Sequence, residues 1–371
     1  MRVLVVNAGS SSLKHALVDA ASGERLRFAE QRWDPAAQTA DHGRALRAAL
    51  AGAGDDAQAI GHRVVHGGEA FAGAARVDRA VRRQIAGLEA LAPLHTRAAL
   101  EGIDAAAAAL PGLPQVACFD TAFHRTIPAA AATYALPREW SERFGLRRFG
   151  FHGLNVAWCA ERAEALVGAQ RCRRLVVCHL GSGCSVSAVL DGRSVDTTMG
   201  FTPLEGVPMA TRSGSVDPGL LLHLLACGIT PEQLGEALNH RSGLLGLTGL
   251  AGVREVEQAA GAGDDRAQLA LDVLARGVSG AVAAMTTALG GLDALVFTAG
   301  AGERSALLRG AVCARLSHLG VTLDTVANGR DDVHVARAGA PVAVLVVPAG
   351  EEIVVAREAA RLLAARPRPL R

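Results

Sequence analysis

A glycine/serine turn set between two apolar, β-rich runs is spelled twice in this chain, at Asn7 to Lys14 and again at His179 to Val186. In the first copy Val3 to Val6 meets NAGSSSLK and continues into Ala16 to Val18 and Asp19. In the second, Leu175 to Cys178 meets HLGSGCSV and continues into Ala188 to Leu190 and Asp191, with no slip in spacing. Glycine allows a tight turn and close approach to an anion, and adjacent hydroxyl and N–H groups supply donors for phosphate oxygens. Each copy reads as strand, turn, strand. Neither fits GxxxxGK[ST], nor GxGxxG followed by a helix. A duplicated phosphate-binding hairpin, in one register, is therefore the expectation.

At 371 residues, half of them hydrophobic, the chain can support two domains with a core in each. A formal charge of +2 and scattered arginines offer no nucleic-acid arm. Only one of the 38 basic residues is a lysine, Lys14, inside the first turn. It is either an exposed lysine or a phosphate ligand. Seven cysteines without a CxxC pair or Cys/His ligand spacing fit buried thiols in a reducing cytoplasm. The start MRVLVVNAG lacks signal-peptide features, and the apolar runs are too interrupted to predict a bilayer span.

Along the chain, residues 20–60 read as a helix with loops, and Ala59 to Val65 and Val116 to Phe119 as buried strands. Helices are predicted around Pro93 and from Asn155 to Val167, Pro218 to Cys227, Pro231 to Leu238 and over 264–290. Gly243 to Gly252 reads as a loop, Ala294 to Thr298 as a strand running into a turn AGAGER, and Val342 to Val347 as the last strand before a closing helix. This alternation makes the class α/β.

Polar clusters follow several strands, where open α/β sheets bind ligands. Arg63, between His62 and His66, is either a surface ion-pair residue or an anion ligand. Arg212 lies in a long Pro/Gly-rich stretch, residues 196–218, of the kind that is often functional. Two guanidinium forks at one pocket suit a carboxylate plus a phosphoryl group. Asp120 in FDTAFH is a turn cap or an active-site acid. His152 in FGFHGLN is a core histidine or a catalytic imidazole. Glu351 and Glu352 are first-turn helix acids or carboxylates able to hold a metal-bound water.

The runs NAGSSSLK, HRVVHGG, APLH, FDTAFH, RRFGFHG, CHLGSG, DTTMGFTPLEG, TRSG, VFTAGAGE and PAGEE stand in this order between Met1 and Ala359. Together they resemble the acetate kinases. The resemblance implies a duplicated actin-like ATPase (ribonuclease H-like) fold of two domains with a nucleotide cleft between them. Residues 1–147 plus 354–371 would form the acyl side and 148–353 the nucleotide side. It implies reversible in-line phosphoryl transfer from ATP to acetate, giving acetyl phosphate and ADP, dependent on magnesium with manganese possible. A cytoplasmic homodimer without nucleic-acid or membrane partners is implied as well. Asn7 and Glu351 resemble the metal-holding residues. Lys14 and His179, Leu180, Gly181, Ser182 and Gly183 resemble the nucleotide-phosphate contacts, with Arg254, Gly300, Ala301, Gly302, Glu303 and Arg304 as further nucleotide contacts. Arg63 and Arg212 match the pair gripping the acyl and phosphoryl groups, Asp120 the active-site acid, and His152 with Arg212 the transition-state stabilisers. Val65, Leu94, Phe151 and Pro203 fall where the family lines a pocket for the acetate methyl.

The chain departs from that pattern at Leu154, Asn155, Val156, Ser182, Ser215, Ala301, Arg304 and Gly350, and lacks the acid expected two residues before Arg254. The missing acid, Ala301 and Arg304 imply a relaxed or shifted nucleotide preference, with Arg304 near the ribose or base. Two alternatives stand beside acetate kinase. One is a propionate (short-chain acyl) kinase, discriminated by Val65. The other is a non-catalytic actin-like nucleotide-binding module, which would need the hairpins but not Arg63, His152 and Arg212 together.

Overall fold

The computed structural model describes residues 1–9, 12–32, 41–330 and 333–365. The chain forms two compact units, the first from Met1–Arg125, His152–Trp158 and Gly350–Arg371, the second from Thr126–Phe151 and Cys159–Ala349. The chain passes between the units after Arg125, Phe151, Trp158 and Ala349, beside an expected division at 147 and 353. Residues 126–151 pack with the second unit, where Thr126 donates to the Ser194 carbonyl and the Phe149 N–H to that of Gly200.

The first unit holds β1 (Arg2–Ala8), β2 (Ser12–Asp19), β3 (Arg25–Arg32), β4 (Ala59–Val64), β5 (Ala75–Arg76) and β6 (Gln115–Phe119), in the order β3-β2-β1-β4-β6-β5. The second holds β7 (Arg174–Leu180), β8 (Cys184–Leu190), β9 (Arg193–Thr197), β10 (Ala294–Thr298) and β11 (Ala343–Val346), in the order β11-β10-β7-β8-β9. In each, a three-stranded antiparallel ribbon is extended by two parallel strands. The duplication expected from the turns is therefore a duplication of sheet topology.

Alternation along β1 serves two cores. Val3 and Val5 join Ala16, Val18 and the helix Glu351–Ala364 on one face, and Leu4 and Val6 join Leu13, Leu17 and the helices Asp41–Ala53 and Pro93–Ala109 on the other. With both faces covered, the strand reads as one continuous apolar run. The closing helix comes so near β4 that a Cβ on Gly61 would lie 2.6 Å from Val355 Cγ1.

Several expectations are corrected. The two hairpins differ in pairing by one residue: Asn7 faces Lys14, whereas His179 faces Ser185 and not Val186. The second turn is tighter, with the Gly181 N–H donating to Gly183 where the Gly9 N–H reaches Ser12. Residues 20–60 contain β3 as well as a helix, because β2 recruits a charged edge strand whose apolar Leu26 and Phe28 stay exposed. Gly243–Thr248 and Ala299–Arg304 are short helices instead of loop and turn. The helix Asp265–Leu289 is long and apolar enough, by length and composition, to cross a membrane. Ten of its side chains, among them Leu274, Val278 and Val282, are buried, and it packs along β7 and β8 as the spine of the second unit.

Gly61→Leu should lower stability by about 1–3 kcal/mol through overpacking against Val355. The check is a fall in urea midpoint at constant m-value. Gly52→Ala, which meets nothing within 4 Å, should leave the midpoint unchanged or raise it.

Candidate active site

In the first unit β1, β4 and β6 run parallel and adjacent, so Asn7, Arg63 and Asp120 stand at neighbouring carboxyl ends. The Asp120 N–H continues the ladder onto the Val64 carbonyl at 3.0 Å. Its side chain is buried and takes Arg63 side-on, Nε at 3.1 and 3.2 Å from the two carboxylate oxygens and Nη2 at 2.6 Å from Oδ2. Burial pushes the Asp120 carboxyl up from its ordinary value, against the pull of Arg63 and of the His152 backbone N–H. The same carboxylate holds Arg63 firmly protonated. Nη1 of Arg63 has no protein acceptor among the described residues.

Two backbone donors complete the clamp. The His152 N–H donates to the Asp120 carboxylate, and the Gly153 N–H to its carbonyl at 2.9 Å. His152 has φ 59°, a left-handed conformation that is strained for a side-chain-bearing residue and concentrates at functional sites. A Cβ on Gly153 would stand 2.2 Å from the Asp120 oxygen, which explains the glycine of the FHG run. The His152 imidazole is half-exposed, and so is not a core histidine.

The last helix divides the paired acids. Glu352 forms an ion pair with Arg25 of β3, whereas Glu351 acts electrostatically on both Asp120 and Arg63. Glu351 and Asn7 are half-buried, and Lys14 is exposed directly across the ribbon from Asn7. Val65 is half-buried immediately after β4. Leu94 lies in the first turn of Pro93–Ala109, but its side chain is outside the described residues.

In the second unit the β7–β8 turn and the helix after β10 form one surface. A Cβ on Gly300 would sit 3.4 Å from Gly181 Cα and from the Leu180 oxygen, and 3.6 Å from Arg304 Nη2. Ser182 and Arg304 are exposed, His179, Gly181, Gly183, Ala301 and Glu303 are half-buried, and Leu180 and Gly302 are buried. Glu303 accepts the Ala349 N–H at 2.9 Å. Arg254 is exposed on Val253–Gly261, a helix tied down by Glu257 accepting the Ser305 hydroxyl.

Arg212 belongs to this surface through the Ala210 N–H, which donates to the Ser182 carbonyl. Its half-buried guanidinium has only neutral partners, the Pro203 carbonyl at 3.3 Å and Met209 Sδ at 4.0 Å. No carboxylate pairs with it among the described residues. Phe151, one of the residues matched to the methyl pocket, is buried.

Similarity to known proteins agrees with this layout. The family model described as the acetokinase family matches residues 29–357. The chain belongs to the acetokinase family. An acetate kinase from Leifsonia xyli subsp. xyli (strain CTCB07) is 44% identical over 98% of this chain and 99% of its own. A propionate kinase from Francisella tularensis subsp. tularensis SCHU S4 superposes with TM-score 0.90 at 35% identity, covering 97% of this chain and 99% of that one. Acetate kinase from Porphyromonas gingivalis gives 0.88 at 34%, covering 98% and 99%. The acetokinase fold seen here is the duplicated actin-like ATPase type.

Sequence reasoning missed the residues that hold the acetokinase loops. Arg309, buried, donates to the Gly302 and Glu303 carbonyls and to Asn328, securing the helix Ala299–Arg304 from beneath. The N–H groups of Leu244 and Leu245 bind the Met209 and Ala210 carbonyls, so the helix read as a loop orients the Arg212 turn. The only signal for it was Gly243, whose φ of +60° and 2.1 Å clearance from the Met209 oxygen exclude a side chain. Tyr134, the single tyrosine, donates to Glu205, which also pairs with Arg148 at 2.7 Å.

His62 is buried beside Arg63 and bonded to Gln115 at 2.6 Å, and desolvation lowers its pKa to about 4. The native state keeps it neutral while the unfolded chain protonates near pH 6.5. Its contribution is whole above pH 6.5 and is lost as pH falls through 6.5 toward 4, by up to about 3 kcal/mol. Urea denaturation of wild type and His62→Gln at pH 7.5 and 5 should show the smaller acid loss in the variant.

Proposed function

We propose that this acetokinase is an acetate kinase, moving the terminal phosphoryl group of ATP onto acetate to give acetyl phosphate and ADP, and the reverse. The observation that carries the reading is Arg212, a half-buried guanidinium whose partners among the described residues are a carbonyl and a thioether. A cation so placed is suited to an incoming anion. Acetate is already ionised at pH 7, so no strong base is required. Asp120, with both oxygens on Arg63, orients that arginine instead of abstracting a proton. What the transfer needs is relief of repulsion between two anions. Arg63 would take the acyl carboxylate through Nη1, Arg212 the transferred phosphoryl group, and the His152 imidazole the developing charge. The turn His179–Gly183 and the helix Ala299–Arg304 would hold the nucleotide, and Lys14 its phosphates.

Asn7 and Glu351 fit a magnesium or manganese ion as a partial oxygen-donor set beside the Asp120 acid. Such an ion would complete its coordination with water and substrate-phosphate oxygens. When bound, it would neutralise charge on the phosphate oxygens.

A hydroxamate assay for acetyl phosphate tests the reading. Arg63→Ala and Arg212→Ala should each lower kcat/KM by about 10²-fold or more. Activity absent with both acetate and propionate would leave the nucleotide-binding module instead. Val65→Ala should move the propionate-to-acetate ratio of kcat/KM upward by about ten-fold, since one methylene is worth about 1–3 kcal/mol.

We also propose a cytoplasmic homodimer. All seven cysteines are free thiols. The helix Pro218–Ala226 buries none of its residues within the chain, and Leu220, Leu222, Leu225 and Ile229 are exposed together, an apolar patch suited to a second copy. Leu222→Asp should shift sedimentation from dimer to monomer.

A further inference from the structure

We propose that Asn155 and Trp158 are positioning residues that set the Glu351 carboxylate, a role resting on Glu351 as the metal-holding acid. The helix Glu351–Ala364 starts at Gly350 without a side-chain cap. Its entry is held instead from the helix Gly153–Val167. Asn155, 2% exposed, accepts the Gly350 N–H at 3.1 Å. The Trp158 indole covers the same residue: a Cβ on Gly350 would lie 2.6 Å from Cε2 and Nε1 and 2.9 Å from Cδ2. Arg357, two turns along the closing helix, places its guanidinium 5.8 Å from that ring's centroid. Glycine at 350 is thus required by the indole, because its φ of −150° is open to any residue.

The start of Gly153–Val167 therefore sets two acids at once. The His152 and Gly153 N–H groups hold Asp120. One turn on, Asn155 and Trp158 hold the peptide that precedes Glu351. Glu352 pairs with Arg25, and Glu351 is the first residue after the peptide that this contact holds. These chain differences are coupled: an asparagine at 155 supplies the acceptor, and a glycine at 350 makes room for the ring. Groups behind a metal ligand typically change affinity by about 10–100-fold when removed.

The test is calorimetric titration of Mn²⁺ into the full-length, ADP-loaded protein, with acetate KM measured in parallel. Gly350→Ala should weaken Mn²⁺ binding about ten-fold, and adding Trp158→Leu should restore it to within about two-fold of wild type. Asn155→Leu should weaken Mn²⁺ about ten-fold, Asn155→Asp, which keeps the acceptor oxygen, should rescue most of the loss, and acetate KM should move less than about two-fold. Wild-type Mn²⁺ affinity in Gly350→Ala, or a loss that Trp158→Leu does not relieve, overturns the proposal. Glu351→Gln separates the two readings. If it binds Mn²⁺ as wild type does, Glu351 is not the metal carboxylate and the proposal falls with that assignment. If it loses Mn²⁺ while Gly350→Ala and Asn155→Leu keep it, only the positioning role fails.

Discussion

Asp120 is held by Arg63 through its carboxylate, by the His152 N–H on the same group, and by the Gly153 N–H on its carbonyl. That clamp fixes the Arg63 guanidinium and the backbone that carries His152. A buried ion pair of this kind is poor evidence for stability, because desolvation of both charges offsets most of their attraction. Breaking it is another matter, since an uncompensated buried charge costs about 3–5 kcal/mol. The clamp therefore specifies one orientation for Arg63 and penalises others. It also accounts for the strained backbone at His152: a positive φ is the geometry that lets two successive N–H groups face one residue.

The two arginines matched to the substrate anions have opposite surroundings. Arg63 is charge-compensated by Asp120 and influenced by Glu351, whereas Arg212 is surrounded by neutral acceptors and its pKa is lowered by burial. A guanidinium stays protonated under that penalty. One guanidinium is thus charge-compensated within its own unit and the other is held by neutral groups within its own. In the second unit the Leu244 and Leu245 N–H groups hold the Arg212 turn, and the Arg309 side chain holds the helix Ala299–Arg304.

Much of the architecture was legible because it depends on local periodicity. β1, β6, β7 and β10 carry continuous apolar runs, and such runs are what a sheet covered on both faces demands. β3 was not legible, since RLRFAEQR is held by pairing with β2 and has no buried stripe of its own. The helix Gly243–Thr248 was hidden by its glycines, of which Gly243 lets the N-terminus approach the Met209 and Arg212 carbonyls and Gly246 faces that of Arg241. Equal spacing of the two turns concealed a one-residue difference in pairing, because cross-strand register is set by turn geometry and not by the count along one strand.

The sequence by itself determined the duplicated ribbon and the residue types at the strand ends. Turn chemistry and apolar runs are local properties, and Asn7, Arg63, Asp120, His152, Arg212 and Glu351 follow segments recognisable in isolation. Only the tertiary structure decided which of two adjacent glutamates is tied to Arg25, which arginine has a carboxylate, and why residues 153 and 350 must be glycine. Those outcomes turn on distances between segments far apart in the chain. Charge compensation and steric exclusion act over a few ångströms in space, and nothing in the local pattern of residues encodes which distant group will occupy that space.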